Sequence, residues 1–244
     1  TDNGTGTVTM LEAMRILKQV LPHPTRTIIA GHWTGEEEGE VGSAAYAADH
    51  PNVVRNLQAL FNQDNGTGRV VRVGAGGLPS GAEHVTQWLS KLPNVFQQQV
   101  GFNGQPVAPG GPAGGGSDDY SFSCYGAPTF GLGALSWDYN NVTWHTERDT
   151  YDKVVFDDLK SNATLTAMLV YLASEDPTHV TPINPDSARA ATQVVLDSIA
   201  RVGGGNADAA AGRGGRGGRG GFGGPRLWPK CETVPRKTNP RLGG

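Results

Sequence analysis

The 244-residue sequence contains no apolar run that approaches the roughly 20 residues needed to cross a bilayer, which argues against a membrane-spanning helix. It also lacks a strong excess of either charge, since 20 Lys and Arg residues face 23 Asp and Glu residues and the formal net charge is −3. This balance is typical neither of a general nucleic-acid binder nor of a membrane-surface protein. We therefore expect a globular chain that does not have a membrane as its partner.

Cysteine is also scarce. The two cysteines are too few for a disulfide framework, and their spacing is not that of a metal site. Cys124 lies in the body of the sequence and Cys231 lies near its C-terminus, so a bridge between them would hold the tail against the body. The sequence leaves both the bridged and the free state open.

The sequence begins at Thr1, with neither a Met nor the basic-then-apolar pattern of a signal peptide, so we expect a processed or truncated product. Its length and its hydrophobic content of 37% suit one domain followed by a tail. We assign residues 1–202 to the domain, residues 203–224 to a Gly/Arg-rich flexible insertion and residues 225–244 to a C-terminal tail.

The Gly/Arg-rich run has too little apolar surface to fold by itself. RGG tracts can bind single-stranded nucleic acid through charge and arginine stacking. Only Arg213, Arg216 and Arg219 take part here, in a chain that is acidic overall. We interpret the run as a linker or surface insertion and do not expect a nucleic-acid partner, with single-strand binding as the alternative.

Hydrophobic periodicity predicts alternating helices and strands, and this order predicts an α/β fold. We expect a mostly parallel, mixed central sheet flanked by helices, an αβα sandwich. The predicted helices cover residues 7–21, 43–50, 81–92, 154–174 and 187–202, with a short one within 117–128. The predicted strands cover residues 25–33, 56–63, 69–73 and 128–135, and the predicted loops cover residues 101–116 and 140–153.

Acidic and imidazole side chains fall where these strands end. Asp2 precedes the first helix, Glu36 and Glu37 follow the predicted strand 25–33, Asp64 follows the next strand, and His145 lies in the late loop. Sites in open α/β sheets assemble at the carboxyl ends of strands, so these groups are expected to converge. Carboxylates with an imidazole form a ligand set for zinc, and shared carboxylates suit a two-metal centre. Divalent cations would also offset the repulsion within GEEEGE.

Each residue also has a structural explanation. Asp2 suits the start of a helix, where a carboxylate interacts well with the helix dipole. The glutamates suit a solvated turn, Asp64 suits the turn that continues through Asn65 and Gly66, and His145 suits an exposed loop. Only the combination of these residues favours a metal site.

Five ordered blocks of the sequence resemble the M28 zinc peptidases, which include bacterial aminopeptidases and the plasma glutamate carboxypeptidase-like branch. The blocks are TDNGTGT, WTGEEEGEVGSAAY, FNQDNGTG, GGSDDYSF followed by YGAPTF, and WHTERDTYDKV, and the resemblance covers residues 1–177. It implies a zinc-exopeptidase-like fold, two zinc ions, a peptide substrate and a secreted or periplasmic location.

Carried over to this sequence, the resemblance implies that Asp2 bridges the two zinc ions. Glu37 and His145 would complete one metal site, and Asp64 would serve the other. Glu36 would be the general base that takes a proton from the attacking water and passes it to the leaving amine.

The sequence also departs from the family pattern. Relatives place a histidine, within an H-x-D block, before the bridging aspartate, and this chain begins too late to include it. The Asp64 site is therefore one ligand short, and we expect a missing N-terminal segment or a homo-oligomer to complete the protein. Many relatives carry a histidine in the SD-H block where this chain has Asp119 and Tyr120, so we interpret Asp118, Asp119 and Tyr120 only as lining the substrate pocket.

The leading interpretation is a metallo-exopeptidase that acts as an aminopeptidase. A carboxypeptidase or dipeptidase of the same family is one alternative, because the WTGEEEGEVG stretch also resembles that branch. A truncated, catalytically weak peptidase-fold protein used for binding or assembly is the other.

Overall fold

The computed structural model describes residues 1–76, 78–102, 116–202 and 227–231. A short 3-10 turn, Tyr151–Lys153, precedes the longest helix in this part of the chain. The helices are α1 (Gly4–Val20), α2 (Val41–Asp49), α3 (Pro51–Arg55), α4 (Pro79–Ser90), α5 (Asn94–Gln99), α6 (Tyr120–Ser123), α7 (Tyr139–Val142), α8 (Phe156–Glu175) and α9 (Pro185–Val202), and the strands are β1 (Leu60–Asn62), β2 (Val70–Val73), β3 (Gly101–Phe102) and β4 (Thr129–Ala134).

The four strands form one sheet in the order β1-β4-β2-β3. Strand β1 pairs with β4 in parallel, with Leu60 opposite Thr129, and β2 pairs with β3 in parallel. Strands β2 and β4 are antiparallel, with an irregular register between Val70 and Arg72. The predicted mixed, mostly parallel sheet flanked by helices is confirmed.

The main core lies between the sheet and helices α4 and α8. Trp88 of α4, Phe130 of β4 and Leu169 of α8 are fully buried in this cluster, together with valines of β2. Helix α1 packs along α8 through Ala13 and Leu17. A second cluster joins α2, α3 and α6 and supports the segment that carries the glutamates.

The predicted strand 25–33 is wrong, because this segment joins no ladder among the described residues. Its first backbone N–H groups bond to side chains at the end of α8: Thr25 donates to Glu175 at 2.8 Å and Arg26 donates to Ser174 at 3.4 Å. Its side chains still alternate, with Ile28 packed inward and Ile29 58% exposed. The alternation of apolar residues in this segment therefore reflects burial of one side, although the segment does not pair as a strand among the described residues.

Three other boundaries also differ from the prediction. The strand predicted at 56–63 is shortened to Leu60–Asn62, because the chain before it turns out of α3. The loop predicted at 140–153 contains most of α7 and the 3-10 turn. The loop predicted at 101–116 begins with β3, and its residues 103–115 lie outside the described residues.

The C-terminal tail packs on the body at residues 227–231. Cys124 and Cys231 form a disulfide, and Trp228 is 1% exposed. The Trp228 indole donates to the carbonyls of Ser123 and Cys124 at 3.2 Å, and Arg189 of α9 donates to the Pro229 carbonyl at 2.9 Å. The sequence had left the bridge open, and the structure resolves it as formed.

Nothing in the described part of the chain resembles a membrane span, since none of its helices combines the necessary length and apolar character. The Gly/Arg-rich run at 203–224, which we interpreted as a linker, lies outside the described residues.

A buried carboxylate joins the start of α8 to the sheet. Asp158 accepts hydrogen bonds from the Arg69 backbone N–H at 3.0 Å, from Arg69 Nε at 2.9 Å and from the Trp137 indole at 2.8 Å. Asp158 therefore holds both the residue before β2 and the loop that carries Trp137 against helix α8.

Replacing Asp158 by Ala should lower the free energy of unfolding by about 2 kcal/mol or more, because a buried carboxylate that accepts three hydrogen bonds is lost. The neighbouring Asp157 is a matched control: its side chain is 85% exposed, whereas that of Asp158 is 2% exposed. Asp157→Ala should cost less than about 1 kcal/mol. Urea denaturation measures both variants, and equal losses would contradict the role given to Asp158.

Candidate metal centre

Three residues that are distant in sequence meet in one open cleft. Asp2, Glu37 and His145 each offer a ligand atom, and these atoms all lie within 4.8 Å of one another. His145 Nε2 lies 2.8 Å from Glu37 Oε1. Two carboxylates and an imidazole form a donor set that zinc accepts.

Asp2 occupies the turn before α1, and that turn is tied to the end of β1. The Asn3 side chain caps α1 by accepting the Gly6 N–H at 3.2 Å and donates to the Gln63 carbonyl at 2.9 Å. Thr5 Oγ1 donates to the Gly66 carbonyl at 2.9 Å. These bonds place Asp2 beside the chain that leaves β1, where Asp64 lies.

The glutamate triplet forms a tight turn. The N–H groups of Gly39 and Glu40 both donate to the Glu36 carbonyl, at 2.9 and 2.8 Å. Gly35 and Gly39 have φ values of 68° and 101°, a left-handed region that favours glycine, which explains the glycines that flank the triplet. Within this turn, Glu37 faces His145 and Glu36 interacts with Asp64.

His145 lies in a compact turn after α7 and has a left-handed φ of 56°. The next residue, Thr146, holds this turn by donating its hydroxyl to the Val142 carbonyl at 2.7 Å. The Trp144 ring lies against the His145 ring, with centroids 4.4 Å apart. The loop that the sequence predicted without structure is therefore ordered around the imidazole.

More carboxylates crowd behind the cleft. Burial raises the pKa of Glu36 to about 7, and the charges of Asp64 and Glu37 add to this. Burial also raises the pKa of Asp64 to about 6. A hydrogen bond from Ser117 lowers this pKa in part, and contact with Asp2 raises it. A carboxyl group beside a second carboxylate ionises less readily, and a nearby cation would offset this effect.

The pair Asp118 and Asp119 belongs to the same acidic cluster. Burial raises the pKa of Asp119 to about 6. A backbone hydrogen bond lowers this pKa in part, and the charge of Glu40 raises it. Burial also raises the pKa of Asp118, opposed by a hydrogen bond from Ser43. Asp118 Oδ1 is buried without a hydrogen-bond partner in the described part of the chain. Burial and this acidic neighbourhood therefore favour the protonated form of these carboxyl groups within the described part of the chain.

The structure brings the sequence-predicted acidic residues and His145 together at or behind this cleft, whereas Tyr120 lines a separate pocket with Cys124 and Cys231. Asp2, Glu37 and His145 converge, with Asp64 in contact with Asp2 and Glu36 in the same acidic environment. The Tyr120 hydroxyl donates to the Lys230 carbonyl of the tail at 3.3 Å. The roles assigned to these eight residues, including pocket lining by Asp118, Asp119 and Tyr120, stay predictions.

Sequence reasoning missed several polar residues around the cleft. Burial, followed by the charge and hydrogen bond of Asp2, raises the pKa of Tyr139. Asn62 donates to Ser117 Oγ at 2.7 Å and to Asp119 at 3.3 Å, and Glu40 accepts the Gly116 N–H at 2.9 Å. For Asn62, Ser117 and Glu40 the only sequence signal was their position inside the FNQD, GGSDD and GEEEGE blocks, and Tyr139 lies outside all three.

Comparison with known proteins places this cleft in a family context. The profile described as peptidase family M28 matches residues 1–170. Leucine aminopeptidase 1 of Coccidioides posadasii (strain C735) is 31% identical over 176 residues, which cover 70% of this chain and 45% of that protein. Leucine aminopeptidase 1 of Sclerotinia sclerotiorum is 28% identical over 179 residues, with coverage of 70% and 45%. The chain therefore spans less than half the length of these curated relatives.

Two solved structures share the fold. The peptidase M28 precursor from Shewanella amazonensis SB2B superposes with a TM-score of 0.63 at 22% identity. The superposition covers 75% of this chain and 39% of the Shewanella chain. Legionella LapA has a TM-score of 0.53 at 22% identity, with coverage of 71% and 48%. These similarities confirm the predicted α/β zinc-exopeptidase fold.

In the metal-free protein, the free energy of unfolding should fall as pH rises from about 4 to about 7. The folded-state pKa values of Glu36, Asp64 and Asp119 lie above the ordinary values of 4.5 and 3.8, so the folded state binds more protons in this window. Their contribution is therefore complete at low pH and is lost as these groups ionise.

Urea denaturation of chelator-treated protein at mildly acidic and at neutral pH measures this slope. Glu36→Gln should flatten it, whereas Glu38→Gln, at an exposed position of the same triplet, should leave it unchanged. Metal-free stability that rises across the window would contradict the raised pKa values assigned to the cluster.

Proposed function

Because the chain belongs to peptidase family M28, we propose that it is a zinc-dependent exopeptidase that acts as an aminopeptidase. Membership of this family supports a peptide hydrolase, and peptidases of family M28 depend on zinc in general. The observation that carries the proposal is the convergence of Asp2, Glu37 and His145 with Glu36 beside them. A disulfide in the same chain supports a secreted or periplasmic location, where disulfides persist.

The donor set and the negative charge of the cleft both fit zinc. Asp2, Glu37 and His145 would hold one ion, while Asp2 and Asp64 would contribute to a second. Zinc bound there would supply Lewis-acid chemistry, which activates a water and polarises the scissile carbonyl. A bound cation would also offset the charge of Asp2 that raises the pKa of Asp64.

Glu36 is the proposed proton carrier. Its neighbour Glu37 faces His145, so Glu36 is the member of the pair left free to reach the attacking water. A carboxyl group whose pKa of about 7 lies near neutral pH suits a group that must both accept and donate a proton. Glu36 would take a proton from the water and deliver it to the leaving amine.

The charge of the cleft supports recognition of an amine rather than a carboxylate. Asp64, Asp118, Asp119 and Glu40 surround Glu36 with negative charge, which attracts the ammonium group of a peptide N-terminus. The two fungal relatives described above are named leucine aminopeptidases. A carboxypeptidase would need cations that face the substrate carboxylate.

Glu36→Gln should retain zinc and lower kcat by about 100-fold or more, because the amide cannot carry the proton. Glu37→Gln should weaken zinc binding, because an amide is a poorer ligand than a carboxylate. Chelator competition and hydrolysis of leucyl p-nitroanilide measure the two effects, with Glu38→Gln as the control from the same triplet. Full activity of Glu36→Gln would refute the assigned mechanism.

A free substrate amine should be required. Leucyl p-nitroanilide should be cleaved and N-acetyl-leucyl p-nitroanilide should not, because acetylation removes the charge that the acidic cluster attracts. Release of a C-terminal residue from an N-blocked peptide would favour the carboxypeptidase alternative. Zinc binding without turnover of either substrate would favour a binding or assembly role.

A further inference from the structure

We propose that Asp149 is a positioning residue of the metal centre, whose carboxylate joins the Asp2 turn to the His145 loop so that their ligand atoms converge. This inference rests on the proposed function, since zinc binding by the centre is itself proposed. Asp149 lies in the WHTERDTYDK block but was given no role from the sequence.

Both oxygens of Asp149 contact the N-terminal turn. Oδ2 accepts the Asp2 backbone N–H at 2.7 Å, and Oδ1 accepts the Thr1 hydroxyl at 2.6 Å. The Thr1 amino group also donates to Oδ1, at 2.5 Å. The first two contacts use a backbone N–H and a hydroxyl, so they do not depend on a free amino group at Thr1.

Asp149 also belongs to the turn that carries the imidazole. Its backbone N–H donates to the Thr146 carbonyl at 3.2 Å, and Thr146 in turn bonds to Val142 at 2.7 Å. One side chain therefore connects two segments separated by more than 140 positions. Asp2 and His145, two of the three converging ligands, lie on these segments.

The Asp149 carboxylate is not itself one of the converging ligands in the described part of the chain. Its side chain is 13% exposed and lies in the wall of the cleft with Thr143 and Thr146. Because Asp149 holds the backbone of Asp2, it acts on the centre through that residue. Supports of this kind orient metal ligands, and their loss commonly costs 10- to 100-fold in metal affinity, as an order of magnitude.

The test compares zinc affinity across isosteric variants. In Asp149→Asn, the amide retains only one acceptor oxygen, and its NH₂ group is a donor placed against another donor of the N-terminal turn. Zinc affinity, measured by chelator competition, should therefore fall roughly 10- to 100-fold. Thr1→Val keeps the carboxylate but removes one donor, so its loss should be smaller. Asp152→Asn is the control, because Asp152 lies three positions later and contacts only Thr150 and Lys153 among the described residues.

Visible absorption of the cobalt-substituted protein adds a readout that follows ligand geometry. The spectrum should change in Asp149→Asn and remain unchanged in Asp152→Asn. Melting curves of the metal-free variants establish that each is folded at the assay temperature. A merely structural role would lower the melting temperature without changing the spectrum of the folded protein.

Folded Asp149→Asn and Thr1→Val with wild-type zinc affinity and an unchanged cobalt spectrum would overturn the inference while leaving the proposed function intact. Wild-type protein that binds no zinc would overturn the proposed function, and this inference with it.

Discussion

The cost of burying several carboxylates close together at one edge of the sheet is the constraint on which the rest of the cleft depends. Glu36, Asp64, Asp118 and Asp119 are all partly or largely buried, and burial is the main cause of their raised pKa values. Neighbouring carboxylates raise the pKa of Glu36, Asp64 and Asp119 further. Such crowding is tolerated only with shared protons or with cations. The fold therefore holds this edge by contacts made elsewhere: the α1 cap, the glycine turn and the His145 loop.

Much of the fold could be predicted because burial leaves a periodic record in sequence. The pattern of α8 and the apolar run of β4 were located within a few residues of their observed limits. Residues 25–33 show where this method fails. Alternation reports which side chains face inward, but strand pairing depends on a neighbour that local sequence does not encode.

The candidate site was predictable only in part. The spacing of Asp2, Glu37 and His145 matched a family pattern, and the structure brings these three residues together. Asp149 was not found because its significance lies in bonds to Asp2 across most of the chain. The raised pKa of Glu36 is equally hidden, since it comes from burial and from neighbours that only folding brings close.

The bridge between Cys124 and Cys231 also has a topological consequence. It closes a covalent ring between two positions 107 residues apart, and the ring contains His145, α8 and α9. Asp2 and Glu37 lie outside it. A single backbone cut anywhere between the two cysteines would leave both fragments linked. The cleaved protein would therefore separate into two smaller fragments only after the disulfide is reduced.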